Sequence, residues 1–209
     1  MTDPFVTRVP PAAADYCRQL WEQYRFQFRL VRPRQTRLGD FRAYPDGRIQ
    51  ITVNIDLHPY AFLITYIHEV AHLVVYRQQR RRVKPHGTAW QTAFQQLMQP
   101  LLTETVFPVD VLLPLRAYLT KPAASTFSCP ALMQALRPYE PAPVPVGLPG
   151  TPAPEVLCNL PEGQSFTFRD KIYVRGALRR TRVLCREKQS GRAYAILAHA
   201  LVVAIDRDF

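Results

Sequence analysis

At 209 residues the chain is long enough for one well-packed domain with a small appendage, and an apolar share of 47% with 11% aromatics excludes a disordered or fibrous polymer. Its 27 basic residues, 23 of them arginine, exceed 16 acidic ones by 11. The excess is shared, 17 against 11 through residue 155 and 10 against 5 beyond it, which favours a polyanionic partner such as nucleic acid.

In chain order, PAAADYCRQLWEQYRFQF from Pro11 to about Phe28 reads as a helix. Tyr16, Leu20, Tyr24 and Phe28 recur at four-residue spacing along one stripe. The arginine-rich RLVRPRQTR follows. Then FRAYPDGRIQITVNI places the turn signal Pro45-Asp46-Gly47 between two strand-like runs, which predicts a β-hairpin. Residues 59–79, YAFLITYIHEVAHLVVYRQQR from Tyr60 onward, are apolar on nearly every face until Tyr76, the pattern of a helix in the middle of a domain. A basic loop at 80–85 leads to a helix from about Gly87 to Leu102. Pro108 opens another through Tyr118, and a short one starts near Ser128 with Pro130 in its first turn.

Composition then changes. Seven prolines fall within residues 138–154, the signature of an extended linker. The alternating, β-branched and aromatic segment beyond it predicts an antiparallel meander of about four or five strands. The reading is therefore α+β. A helical zincin-like metallopeptidase domain with a β-hairpin occupies residues 1–125, a short helix and proline-rich linker 126–155, and a small antiparallel β-meander domain 156–209.

His68-Glu69-Val70-Ala71-His72 is an HExxH motif. One helical turn separates the histidines, so both imidazoles leave one face and can share an ion. Glu69 stands one residue on, placed to reach a water on that ion without ligating it. Zinc lowers the pKa of such a water to about 7, and Glu69 can take its proton as it attacks a peptide carbonyl. As buried core residues without a metal, two imidazoles and a carboxylate in an apolar helix would incur a large desolvation cost.

A catalytic zinc commonly takes three protein ligands. His58 lies ten residues upstream on the same helix, too far along its axis, and His199 falls in the strand domain. His86, between Pro85 and Gly87 where the chain turns back after the metal helix, is the favoured third ligand over a carboxylate such as Glu104.

HEVAHLVVY followed by RRVKPHGTAW closely resembles the SprT-like metallopeptidase family, which includes bacterial SprT proteins and the eukaryotic Spartan protease. The resemblance covers roughly residues 12–120. It implies that His68, His72 and His86 are the zinc ligands, that Glu69 is the catalytic glutamate and that Trp90 is a packing aromatic. It further implies protein substrates, and in the manner of Spartan, cleavage of DNA-bound or DNA-crosslinked proteins. Many SprT proteins end in a zinc ribbon with two Cys pairs. Here Cys17, Cys129, Cys158 and Cys185 are isolated, so Cys158 and Cys185 are expected to bind no metal.

Arg77, Arg80, Arg81, Arg82 and Lys84 crowd the loop between the metal helix and His86, where they would draw a polyanion towards the site. A second cluster includes Arg180 and Arg182, read as one face of a strand in RRTRV and as further contacts to DNA, single-stranded DNA included. The interleaved Phe166, Phe168, Tyr173 and Tyr194 fit the small domain's core better than base stacking. A start without a basic, then apolar leader, together with single cysteines, suits the cytoplasm, at the nucleoid if DNA is the partner, and no membrane. The rival reading is a non-catalytic, zinc-stabilised nucleic-acid-binding module, and a third is a metallohydrolase of another substrate.

Overall fold

The computed structural model describes residues 3–34, 37–79, 84–123, 129–140, 154–179, 182–198 and 200–205. The chain divides into two compact units, Met1–Pro141 and Ala142–Phe209. The class is α+β.

The first unit opens with α1 (Pro11–Tyr24), whose N1 proline presets the helical φ and whose Ala13, Ala14, Cys17 and Leu20 are buried. The helix does not run on to Phe28. Arg25 takes a left-handed conformation and donates its N–H to the Trp21 carbonyl at 2.9 Å, which closes the last turn. The chain then enters β1 (Gln27–Val31), so the first part of the arginine-rich stretch is a strand. Phe28 extends the helical stripe only by coincidence of spacing. It is half-buried from the sheet instead, against Phe5, Trp21, Phe62 and Tyr66.

β2 (Gly39–Ala43) and β3 (Ile49–Asn54) form the expected hairpin. Tyr44 exchanges both backbone bonds of the turn, donating to the Arg48 carbonyl at 2.8 Å and accepting from Gly47 at 3.0 Å. Gly47 sits at φ 82°, a conformation with little steric penalty only for glycine. β1 pairs with β3 in parallel, giving the order β1-β3-β2 with β3 in the centre. Ile51 and Val53 of β3 are fully buried.

The central helix is α2 (Pro59–Gln78), capped at its start by the His58 side chain, which accepts from the Ala61 N–H at 3.5 Å. The sheet packs on one side of it and α3 (Thr88–Met98) on another, which explains an apolar surface on nearly every face. Aromatic edge contacts of Phe5 and Phe28 with Tyr66 pin α2, each worth about 1 kcal/mol beyond burial. The buried Tyr66 hydroxyl donates to the Cys17 carbonyl at 2.9 Å. α4 (Val109–Leu119) and α5 (Pro130–Leu136) complete the unit, and Leu132 and Leu136 of α5 join its core.

The second unit is a six-stranded antiparallel sheet of β4 (Glu155–Val156), β5 (Ser165–Phe168), β6 (Lys171–Arg179), β7 (Arg182–Glu187), β8 (Ala193–Leu197) and β9 (Leu201–Ala204), in the order β4-β9-β5-β6-β7-β8. β5 to β8 are a meander. β9 then departs from it, returning between β4 and β5, because Val202 completes a core with Phe166, Tyr173, Val183, Cys185 and Ile196. No helix among the described residues is long and apolar enough to cross a membrane.

Candidate metal centre

Helical spacing puts His68 and His72 one above the other on α2, their Nε2 atoms 3.2 Å apart. His86 arrives from the turn before α3, where the Gly87 N–H bonds back to the Lys84 carbonyl at 3.1 Å. His86 itself sits at φ 56°, a left-handed conformation that costs a non-glycine residue about 1 kcal/mol. That conformation brings its Nε2 to 3.1 Å from His68 Nε2 and 3.0 Å from His72 Nε2. Strain of this kind persists where the surroundings impose it, commonly at functional sites.

The three nitrogens form a nearly equilateral triangle. Around an ion with Zn–N bonds of about 2.0–2.1 Å, tetrahedral geometry separates ligand nitrogens by about 3.3–3.4 Å, so the triangle fits one face of such a shell. Neutral imidazoles meeting through three Nε2 atoms have too few protons to satisfy every pair by hydrogen bonding. A shared cation resolves that. The three side chains are a group able to hold a metal ion, and it is the only such group of three or more among the described residues. The exposed Glu104, the alternative third ligand, is not part of it.

Trp90, 1% exposed, forms the floor. Its ring lies 4.6 Å from that of His68, 5.5 Å from His72 and 4.8 Å from His86. Its indole N–H donates to the His68 carbonyl at 3.3 Å, and Phe94 stacks behind it at 5.0 Å. The packing role implied for Trp90 is thus packing against the imidazoles themselves, and the helix α3 that carries it also follows directly on His86.

Burial holds all three histidines neutral: it pushes His68 well below its ordinary value, His72 to about 4, and His86 down. Their lone pairs are therefore available at neutral pH. Glu69 is 7% exposed, and burial, reinforced by the Asp40 charge, raises its carboxyl to about 8. Arg34, the Phe41 backbone N–H and Arg37 oppose that rise. A dication held by the adjacent imidazoles would oppose it further.

The sequence did not single out β2 as part of this site. Gly39 abuts Glu69, and the Phe41 ring lies parallel to the His72 imidazole at 6.3 Å. Phe41 also contacts Tyr76, 52% exposed, at 5.7 Å. The only local signal was a glycine at the start of a hairpin strand.

Arg77 donates to the Tyr24 carbonyl and lies over the Tyr24 ring at 5.8 Å, so its guanidinium is engaged at the end of α1. Lys84 is exposed. Arg80, Arg81 and Arg82 lie outside the described residues, as do Arg180 and His199. Arg182 is exposed and donates to the Ala195 carbonyl at 3.0 Å. The RRTRV run is not one strand: β6 ends at Arg179 and β7 begins at its partner Arg182. Phe166 and Tyr173 are buried and stacked at 5.7 Å, the core role favoured for them.

Residues 16–111 match the model of the SprT-like family. No curated protein and no solved structure gives a significant match.

Proposed function

From the match of residues 16–111 to the model of the SprT-like family, we propose that the protein is a zinc-dependent, zincin-like metallopeptidase acting on proteins on or near DNA. The observation that carries the reading is the convergence of three Nε2 atoms at 3.0–3.2 Å one residue from a buried glutamate. His68, His72 and His86 would hold the ion. Zinc bound there supplies Lewis-acid polarisation of a carbonyl and a water acidified to about pKa 7. Glu69 takes the proton of the attacking water on its carboxylate and returns it to the departing amine nitrogen. A zinc that only stapled the fold would have no use for a general base, and a buried carboxylate in that position would be a liability.

The substrate approach is supported by β2. It pairs with β3 on one side only among the described residues, which leaves backbone donors and acceptors for an extended peptide. Phe41 and Tyr76 give that approach an apolar wall beside His72. The DNA half of the reading rests on a net charge of +11 spread over both halves of the chain, with Lys84 and Arg182 exposed.

The test is a cleavage assay on DNA-binding proteins with and without single-stranded DNA, comparing wild type with Glu69→Gln. Cleavage by wild type alone, raised by DNA, supports the whole reading. Cleavage indifferent to DNA removes its nucleic-acid half, and DNA binding with no cleavage leaves a zinc-stabilised binding module.

A further inference from the structure

Gly39 opens β2 directly against the helix that carries the motif. A Cβ at this position would lie 2.5 Å from Glu69 Oε1, 2.7 Å from Glu69 Cγ and 2.8 Å from Thr65 Cγ2. All three distances are far inside normal carbon contact, which begins near 3.5 Å. Glycine is not demanded here by conformation, since Gly39 is not among the positive-φ residues. It is demanded by space.

The backbone on both sides of the contact is held, so the Glu69 side chain is what must move. Gly39 is held in the ladder opposite Val53, and the preceding Leu38 carbonyl accepts from the Asn54 N–H at 2.8 Å. Asn54, 1% exposed, also donates to the Arg34 and Arg37 carbonyls at 3.2 Å each, so the approach to β2 is tied to β3. Glu69 and Thr65 are each 7% exposed on a helix enclosed by sheet and α3. Two residues beyond Gly39, the Phe41 backbone N–H faces the same carboxylate.

We propose that Gly39 is a positioning residue for Glu69: its bare backbone forms a slot in β2 that fixes where the carboxylate lies. This rests on the reading of Glu69 as the general base. A side chain at position 39 displaces that carboxylate by an ångström or more while leaving the three imidazoles in place. Misplacement on that scale costs roughly a hundredfold in rate.

Four variants test it: Gly39→Ala, Gly39→Ala with Thr65→Ser, Glu69→Ala, and Gly39→Ala with Glu69→Ala. Gly39→Ala should keep full zinc content and a KM within about threefold, while kcat falls about ten- to a hundredfold. Thr65→Ser removes only the Cγ2 contact and should not restore kcat. Melting temperature supplies a readout independent of activity. The methyl should lower it in wild type and lower it clearly less in the Glu69→Ala background, where the two Glu69 contacts are gone and only the Thr65 Cγ2 contact remains. Should Gly39→Ala alone fail to fold, recovery of folding in the Glu69→Ala background gives the same answer. Restoration of kcat by Thr65→Ser, or equal destabilisation in both backgrounds, overturns the proposal. A wild type without peptidase activity would refute the proposed function, yet the melting comparison would still decide whether Glu69 occupies the Gly39 slot.

Discussion

His58 caps the metal helix with an unprotonated ring, and acid should therefore loosen the first unit. Its side chain accepts from the Ala61 N–H and packs near the Tyr60 and Tyr139 rings. Burial pushes its pKa from 6.5 to about 4. A protonated ring could not accept that bond and would place a cation at the positive end of α2. Between the two values the unfolded chain takes up a proton that the folded chain refuses. Stability is therefore level above pH 7 and falls as pH drops from 6.5 towards 4. The unscreened loss between pH 7 and 5 is about 2 kcal/mol, and partial access of water to the ring reduces it to about 1–1.5 kcal/mol. For a unit of about 140 residues that lowers the melting temperature by roughly 3–5 °C. The assay is thermal unfolding at pH 7 and 5 of wild type and His58→Asn, both stripped of zinc so that the three ligand histidines contribute equally. Asparagine caps helices well and does not titrate, so the variant should lose that part of the acid sensitivity. The same pH shift in both proteins would show that the His58 ring is not the source of the acid sensitivity.

The purified protein should carry about one zinc per chain, and His72→Ala or His86→Ala should lose it with a fall in melting temperature, because zinc binding to the folded site is folding energy. His199→Ala, Cys158→Ser and Cys185→Ser should leave zinc content unchanged, as measured by elemental analysis. Since burial lowers the pKa of His68, His72 and His86 from the ordinary 6.5, zinc should be retained as the pH falls to 6.5, and release that begins above that pH would contradict the lowered pKa values. Trp90, in ring contact with every ligand, should have its fluorescence quenched on cobalt substitution, and Trp90→Phe should abolish the quenching. Replacing Arg80, Arg81 and Arg82 with Ala should flatten the log–log salt dependence of DNA affinity by up to about 2–3 without altering zinc content. An unchanged slope in fluorescence anisotropy would remove that loop from the nucleic-acid reading.

The histidine cluster was legible in the sequence because its spacing is local. His68 and His72 are one helical turn apart, and His86 is marked by Pro85 and Gly87 at the turn back. The hairpin was legible for the same reason, through Pro45-Asp46-Gly47. β1 was not. Phe28 continues the four-residue rhythm of Tyr16, Leu20 and Tyr24, and nothing local reports that Arg25 turns left-handed or that Gln27–Val31 pairs in parallel with a strand twenty residues on. Parallel pairing is non-local by nature and leaves no turn signature. The insertion of β9 beside β5 was hidden likewise, since Val202 finds its core only after four strands are in place. Nothing local marks Gly39, which the fold lays against Glu69, thirty residues away.

In the proposed function Glu69 serves zinc-dependent peptide hydrolysis in a site whose metal it does not ligate. The most direct measurement is turnover of a DNA-binding protein substrate by zinc-loaded wild type and Glu69→Gln, with zinc content determined on the same samples. Glutamine preserves size and hydrogen bonding but cannot accept the water's proton. Equal zinc content with turnover reduced at least a hundredfold is the result predicted. Equal turnover in the two proteins would contradict it.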